Sequence, residues 1–232
     1  MIKEELIQRS PVRIFEKSIH GGLKPGEIGV IASPSGVGKT SVLVQIALDK
    51  LLQEKKVIHV SFSQHTQYVL SWYEDIFDEF TRKKNLDRPE EVKNDIVKNR
   101  VLLNFSQDGV TGSMILKSLK ALIVEGGFGA EAIIVDGFDF GRTSRERMEE
   151  VKAGAKELGI SFWYSCTVQA QAYDKGRVPL VLKDYADLLD VIIVLDPKSD
   201  HIELSASKDR NETSLEHLAL KLDPKTLLIL EE

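Results

Sequence analysis

The residues with the clearest chemical meaning form a short run of small and polar side chains that ends in Gly38-Lys39-Thr40. An apolar segment, residues 28–32, precedes the run, and a helical pattern starts within it. A strand, a loop and a helix in this order create a nest of backbone N–H groups that binds phosphate oxygens. The lysine of such a loop reaches the β- and γ-phosphates, and the threonine hydroxyl is a ligand for Mg²⁺. The run therefore predicts a site for ATP with Mg²⁺, formed by Ser33, Pro34, Ser35, Gly36, Val37, Gly38, Lys39, Thr40 and Ser41. We call residues 33–40 the phosphate loop.

A second candidate metal ligand is Asp136, which ends the apolar segment 132–136. In proteins with a phosphate loop, a carboxylate at the end of a parallel strand holds Mg²⁺ beside the loop hydroxyl. Asp136 and Thr40 are therefore predicted to share the metal, and Asp139 is the alternative. The string Asp139-Phe140-Gly141 matches a magnesium motif of protein kinases, but the other kinase signatures are missing, so we treat it as coincidence.

These residues need a scaffold, and hydrophobic periodicity predicts one. Short β-branched segments alternate with amphipathic stretches, which makes consecutive strands parallel because helices connect them. Three further segments near the end of the chain are separated by turn residues alone and predict antiparallel strands at one edge. The expected fold is an α/β sandwich in one domain, residues 1–232, with an N-terminal extension of residues 1–14. The predicted strands are 28–32, 57–62, 101–105, 132–136, 160–166, 191–195, 202–207, 217–222 and 226–230, and the predicted helices are 40–53, 67–80, 111–125 and 144–158.

Composition narrows the class of protein. The chain has 232 residues, 42% of them hydrophobic, which is enough for one substantial core. No segment approaches the roughly 18 consecutive apolar residues of a membrane span, and we expect a cytoplasmic protein. The single cysteine, Cys166, excludes an internal disulfide and is expected to be buried. A net charge of −5 argues against a dedicated nucleic-acid binder, and the charged segment 81–100 is interpreted as a solvated helical face.

Further residues resemble those of the RecA-like ATPases, in particular their KaiC and DnaB branches. The turn 21–27, the start of the phosphate loop and the helix ending Gln45-Ile46-Ala47 are similar to these families, and the resemblance extends from residue 15 to the last strand. Lys208 and Arg210 resemble the Lys-x-Arg pair that these ring ATPases insert into a neighbour's nucleotide site, where a cation raises the rate by about 10³ to 10⁵. The alternative is a charged loop before a hairpin. The resemblance implies a three-layer RecA-like sandwich, a site shared between subunits and a homo-oligomer such as a hexamer.

The main departure from these families concerns the residue that activates water. They carry a glutamate just beyond the second strand, and here the strand 57–62 is followed by Ser63-Gln64-His65-Thr66. A missing general base typically costs about 10²- to 10⁴-fold in rate. Gln64 is the candidate that orients the water, as glutamine does in small GTPases. His65 is a weaker substitute.

Other positions carry smaller expectations. Ser33 stands where glycine is usual. Gln169 lies where RecA-like proteins carry a group that senses the γ-phosphate, with ordinary hydrogen bonding at a strand end as the alternative. Tyr68, Trp72 and Tyr73 are candidates for stacking on adenine, although aromatic residues at helical spacing more often belong to a core.

Three functions remain open. The first is a ring-forming, KaiC-like ATP-binding protein with weak or absent hydrolysis, whose nucleotide occupancy controls assembly with an unidentified protein partner. The second is a nucleic-acid-dependent ATPase of the DnaB or RecA type, for which Arg142, Arg145, Arg147, Lys175 and Arg177 supply positive charge. The third is an adaptor that does not hydrolyse ATP.

Overall fold

The computed structural model describes residue 7 and residues 10–62, 65–84, 89–106, 112–169, 178–213 and 216–232. The described strands form one sheet in the order β3-β2-β4-β5-β1-β6-β7-β8-β9. They are β1 (Ile28–Ser33), β2 (Lys56–Ser61), β3 (Arg100–Asn104), β4 (Ala130–Asp136), β5 (Ser161–Thr167), β6 (Val191–Pro197), β7 (Ile202–Asp209), β8 (Glu216–Leu222) and β9 (Ile229–Glu231). The described α-helices are α1 (Pro11–Ser18), α2 (Lys39–Leu52), α3 (Thr66–Lys84), α4 (Pro89–Lys98), α5 (Gly112–Lys120) and α6 (Arg145–Leu158).

The sheet is parallel from β3 to β6 and antiparallel from β6 to β9. This confirms the predicted α/β architecture with antiparallel C-terminal strands. All six residues of β1 are buried, as expected for a strand that is covered on both faces. Because β1, β2, β4 and β5 run in one direction, their carboxyl ends meet at the same edge of the sheet.

Helices cover both faces of the sheet, and each face has its own apolar cluster. Successive side chains of a strand point to opposite faces, so Trp163 of β5 joins one cluster while Phe162 joins the other. The first cluster contains residues of α1, α2, α3 and α4, and the second contains residues of α5 and α6. The phosphate loop leads into α2, which lies on the first face.

Three elements differ from the sequence prediction. The predicted strand 226–230 starts three residues later, as β9 (Ile229–Glu231), because residues 224–226 form a turn. The predicted N-terminal extension, residues 1–14, overlaps α1, in which Val12 and Phe15 are buried in the first cluster. Pro11 is tolerated at the first turn of a helix, where its missing N–H has no partner to lose. The predicted helix 111–125 ends as α5 at Lys120 and continues as a wider π-helical turn, Ala121–Glu125.

The described part of the charged segment 81–100 lies at the end of α3, in helix α4 and, with Arg100, at the start of β3. Within α4, Ile96 is buried and Asp95 and Lys98 are exposed, which agrees with a solvated helical face. Among the described residues, no helix combines the length and the apolar character needed to cross a membrane.

Candidate functional site

A cleft of about 280 Å³ opens at the carboxyl edge of the parallel strands. Residues of the phosphate loop form one side of it, and Ser61 and Asp136, at the ends of β2 and β4, form its floor. Tyr68 and Trp72 of α3 and Leu227 from the turn before β9 complete the wall. Ligands of open α/β sheets bind at this edge, so the predicted site lies where the fold favours one.

The backbone of the phosphate loop requires glycine at two positions. Gly36 and Gly38 have φ values of 77° and 113°, a region that other residues enter at a cost. A Cβ on Gly38 would also lie 2.5 Å from Cδ2 of Leu222. Ser33, by contrast, is the last residue of β1 and has strand conformation, so serine is accommodated where glycine is usual.

The ammonium group of Lys39 folds back over the loop. Its Nζ donates to the carbonyl oxygens of Pro34 at 2.9 Å and Ser33 at 3.1 Å. Burial lowers the pKa of Lys39, and the negative charge of Asp136 partly opposes this shift. A desolvated cation held by two carbonyl oxygens is a strong site for an anion, because phosphate oxygens satisfy it better than neutral dipoles do.

Thr40 and Asp136 meet although 96 residues separate them in the chain: the Thr40 hydroxyl donates to Asp136 Oδ2 at 2.9 Å. Strand β5 lies between β1 and β4 in the sheet, and the first turn of α2 brings Thr40 across its end. Asp136 is only 9% exposed. The two oxygen ligands predicted for Mg²⁺ are therefore adjacent and oriented toward each other.

Asp139, the alternative metal ligand, has another contact. Its side chain accepts a hydrogen bond from the Gly141 N–H at 2.9 Å and caps the short 3-10 helix Phe140–Arg142. Phe140 is buried in the second cluster. The Asp-Phe-Gly string is thus used for a local turn in this structure, and Asp139 is not among the residues that line the cleft.

The end of β5 supplies groups that the sequence did not single out. Ser165 and Thr167 line the cleft, and the Ser165 hydroxyl accepts a hydrogen bond from the Gly137 N–H at 2.8 Å. Gln169, two residues beyond β5, is exposed and does not line the cleft. Its role as a phosphate sensor stays a prediction. Gln64, the candidate for orienting water, lies outside the described residues together with Ser63.

Ser41 also has a specific contact. The side chain is fully buried, and its hydroxyl donates to the carbonyl oxygen of Leu227. Ser41 was predicted as the last residue of the nucleotide-binding run. Its backbone belongs to the first turn of α2, while its side chain connects that turn to the segment before β9.

Arg210 is held by groups of its own chain. Its guanidinium donates to Glu27 at 2.9 and 3.1 Å and to the carbonyl oxygens of Ile19 at 3.0 Å and Gly22 at 2.7 Å. Lys208 is 8% exposed and donates to the carbonyl oxygens of Ala186 and Leu189.

The positions of Lys208 and Arg210 in the sheet decide whether these residues can contact the nucleotide site of their own chain or that of a neighbour. Strand β7 runs antiparallel to β6, so its end, where Lys208 pairs with Ile192, lies at the amino edge of the parallel strands. The phosphate loop lies at the opposite edge. A role in catalysis would therefore involve a neighbour's site and would require both side chains to exchange their present partners. That role stays a prediction.

The three aromatic candidates of α3 fall into two groups. Tyr68 and Trp72 line the cleft and contact each other edge to face, with ring centroids 6.3 Å apart. Tyr73 is 2% exposed, bonds His59 Nδ1 through its hydroxyl at 3.1 Å, and lies under the guanidinium of Arg100 at 4.1 Å. Tyr73 is thus a core residue, and only the other two face the cleft.

The buried His59 leads to a prediction about stability. It is fully buried, its Nε2 has no hydrogen-bond partner among the described residues, and burial lowers its pKa from 6.5 to about 4. Between about pH 6.5 and pH 4, His59 is protonated in the unfolded chain but neutral in the folded protein. The free energy of unfolding therefore decreases as the pH falls through this window. We expect a loss of about 3 kcal/mol across this window. Chemical denaturation at several pH values measures it, and an equally steep dependence in His59→Leu would contradict the assignment.

Of the basic residues considered for nucleic acid, Arg145 is engaged with two carboxylates. It pairs with Asp187 at 2.5 Å and with Glu149 at 3.0 Å, and this pairing keeps the pKa of the Asp187 carboxyl at about 2. Lys175 and Arg177 lie outside the described residues. The nucleic-acid hypothesis stays a prediction.

Cys166, the single cysteine, is buried as expected, and burial raises its pKa to about 12. It therefore behaves as a small hydrophobic residue of the second cluster.

Comparison of the chain with models of known protein families found no match, and comparison with curated proteins found none either.

Proposed function

We propose that the protein binds a nucleoside triphosphate, ATP, together with Mg²⁺ in the cleft at the carboxyl edge of the sheet. One observation carries the proposal: a desolvated lysine, a glycine-dependent loop at a helix N-terminus and a Thr40–Asp136 oxygen pair converge on the same cleft. Each group suits a different part of one ligand. The loop N–H groups and Lys39 suit phosphate oxygens, and the oxygen pair suits a hard divalent cation.

Thr40 and Asp136 would hold Mg²⁺, which neutralises phosphate charge when it is bound. The Thr40 hydroxyl is available to the metal once it turns away from the carboxylate, and Asp136 is held beside it by the end of β4. The Ser165 hydroxyl accepts a hydrogen bond from the Gly137 N–H, directly after Asp136, and so helps to hold the Asp136 carboxylate beside the phosphate loop.

Hydrolysis is proposed to be slow or absent. Among the described residues that line the cleft, Asp136 is the only aspartate or glutamate, and it is bonded to Thr40. A group that deprotonates or orients the attacking water would have to come from elsewhere. Nucleotide occupancy, rather than turnover, is then the property that the protein uses.

The assembly role is the finer part of the proposal. The resemblance of Lys208 and Arg210 to a pair that acts across a ring supports a homo-oligomer whose formation depends on ATP and which acts with a protein partner. Mass measurement with and without Mg²⁺ and ATP tests it: an ATP-dependent oligomer supports the role, and a persistent monomer removes it.

Tryptophan fluorescence provides the test of binding. Trp72 lines the cleft, whereas Trp163, the other tryptophan, is 3% exposed in the core. Addition of Mg²⁺ and ATP is expected to change the Trp72 emission in a saturable way, because a ligand in the cleft alters its surroundings. Trp72→Phe should lose this signal, and phosphate release measured in parallel should be far below motor rates. The absence of a saturable change in the wild-type protein, or rapid turnover, would contradict the proposal.

A further inference from the structure

The turn between β8 and β9, residues 223–228, forms part of two cavities. Leu227 lines the phosphate cleft and also a second cavity of about 450 Å³ between α3 and the turn. Trp72 is likewise shared by both cavities, so they adjoin each other. A nucleotide whose phosphates lie at the phosphate loop has room for its nucleoside in the second cavity, beyond these two shared residues. The position of the turn therefore sets the shape of the site on the nucleoside side.

The turn is attached to the helix that follows the phosphate loop. Gln45 of α2 uses both ends of its side-chain amide: Nε2 donates to the Leu227 carbonyl at 2.9 Å, and Oε1 accepts from the Ile229 N–H at 2.8 Å. The Ser41 hydroxyl donates to the same carbonyl. Gln45 is 6% exposed, and a buried side-chain amide destabilises the folded protein unless it is hydrogen-bonded. Among the described residues, the hydrogen bonds of Gln45 to other elements all go to Leu227 in the turn and to Ile229 directly after it.

The backbone of the turn indicates that these contacts constrain it. Leu227 has a φ of 55°, in the left-handed region that a branched side chain enters at a cost. Inside the turn, the Asp223 side chain accepts from the Lys225 N–H at 2.8 Å, and the Asp223 carbonyl accepts from the Leu227 N–H at 2.7 Å. The turn is thus organised internally, and loss of the Gln45 bonds would move it as a unit.

We infer that Gln45 is a positioning residue for nucleotide binding: it fixes the turn 223–228 to the phosphate-binding helix, so that the two walls of the site keep one relative geometry. The inference rests on the proposed function, because it concerns the same site. On this inference, the turn contacts the nucleoside of the ligand and the phosphate loop contacts its phosphates. Loss of Gln45 should therefore affect the two parts of the ligand differently.

The experiment compares two probes, Mg²⁺ with ATP and Mg²⁺ with inorganic tripolyphosphate, by calorimetry on the full chain. Gln45→Met keeps the length of the side chain and removes both hydrogen bonds. We expect its affinity for ATP to fall by about tenfold, the effect of losing one or two buried hydrogen bonds, while its affinity for tripolyphosphate changes by less than about twofold. Thermal unfolding confirms that the variant is folded at the temperature of the titration.

Gln53→Met is the matched control. Gln53 follows the same helix, and within the described part of the chain its amide bonds Asp49 alone, at 2.8 and 2.9 Å, so both affinities should stay at the wild-type values. If Gln45→Met does not fold, Gln45→Asn, whose shorter amide cannot reach both Leu227 and Ile229, carries the test with the same selective loss for ATP. Equal losses for both probes, or none for either, would overturn the inference. Failure of the wild-type protein to bind either probe would instead overturn the proposed function, and the inference with it.

Discussion

Replacement of Lys39 by methionine is expected to weaken binding of Mg²⁺-ATP by about a hundredfold or more. The Lys39 ammonium lies at the mouth of the loop, where it bonds the carbonyls of Ser33 and Pro34. Phosphate oxygens would replace these carbonyls as partners, and charge-assisted hydrogen bonds contribute roughly twice as much as neutral ones. A loss of about 3 kcal/mol corresponds to this change in affinity. Calorimetric titration measures it.

The fold should tolerate this replacement. Burial already disfavours the charged form of Lys39, as the lowered pKa indicates, so removal of the charge relieves a desolvation cost in the ligand-free protein. Lys183→Met is the matched control, because Lys183 is exposed in the short helix Leu180–Tyr185. Wild-type affinity in Lys39→Met, or an equal loss in Lys183→Met, would mean that the loop does not bind the phosphates.

Replacement of Asp136 by asparagine is expected to remove most of the magnesium dependence of ATP binding. Asparagine keeps the shape and an acceptor for the Thr40 hydroxyl, so the change isolates the negative charge. We expect affinity for ATP with Mg²⁺ to fall by about ten- to a hundredfold, as a hard cation loses its charged ligand. Affinity in the presence of a chelator should stay constant or rise, because one negative charge near the phosphates has gone. Titrations with Mg²⁺ and with chelator give the comparison.

Asp139→Asn provides the control for this prediction. Asp139 lies three residues further along the chain and is used in a local turn with Gly141, which asparagine can also form. Its replacement should leave the magnesium dependence unchanged. If Asp139→Asn lost that dependence while Asp136→Asn kept it, the metal would belong to Asp139.

The parts of the fold that the sequence predicts best are those specified by contiguous residues. The β-branched runs of β1 and β4 predicted their strands to within two residues, because these strands are buried on both faces. The phosphate loop is likewise local, since strand, glycines and helix follow one another directly. The approach of Asp136 to Thr40 could be expected as soon as both were assigned to the carboxyl edge of one parallel sheet.

Contacts between residues that are distant in the chain could not be predicted from the sequence. The link between Gln45 and Leu227 joins residues 182 apart, and nothing in the local pattern of either segment indicates the other. Ser165 and Thr167 enter the cleft because β5 lies between β1 and β4, an order that the sequence does not state. Helix α1 was missed because the first segment lacks a long apolar pattern, although Val12 and Phe15 anchor it in the core.

Arg210 illustrates a limit of a different kind. Its spacing from Lys208 suggests a pair that reaches outward, whereas the guanidinium is bonded to Glu27 and to two carbonyl oxygens of the segment before β1. A sequence pattern specifies the charge and not its partners. For this residue to act in a neighbour's site, the subunit interface would have to offer phosphate oxygens that replace the Glu27 carboxylate.

Calorimetric titration of the full chain with ATP in the presence of Mg²⁺ tests most directly the central claim, that the cleft binds this nucleotide. The geometry of the Lys39, Thr40 and Asp136 site predicts saturable binding of one nucleotide per chain, with an affinity that falls when Mg²⁺ is removed. The absence of saturable heat at millimolar ATP, in protein shown to be folded, would contradict it.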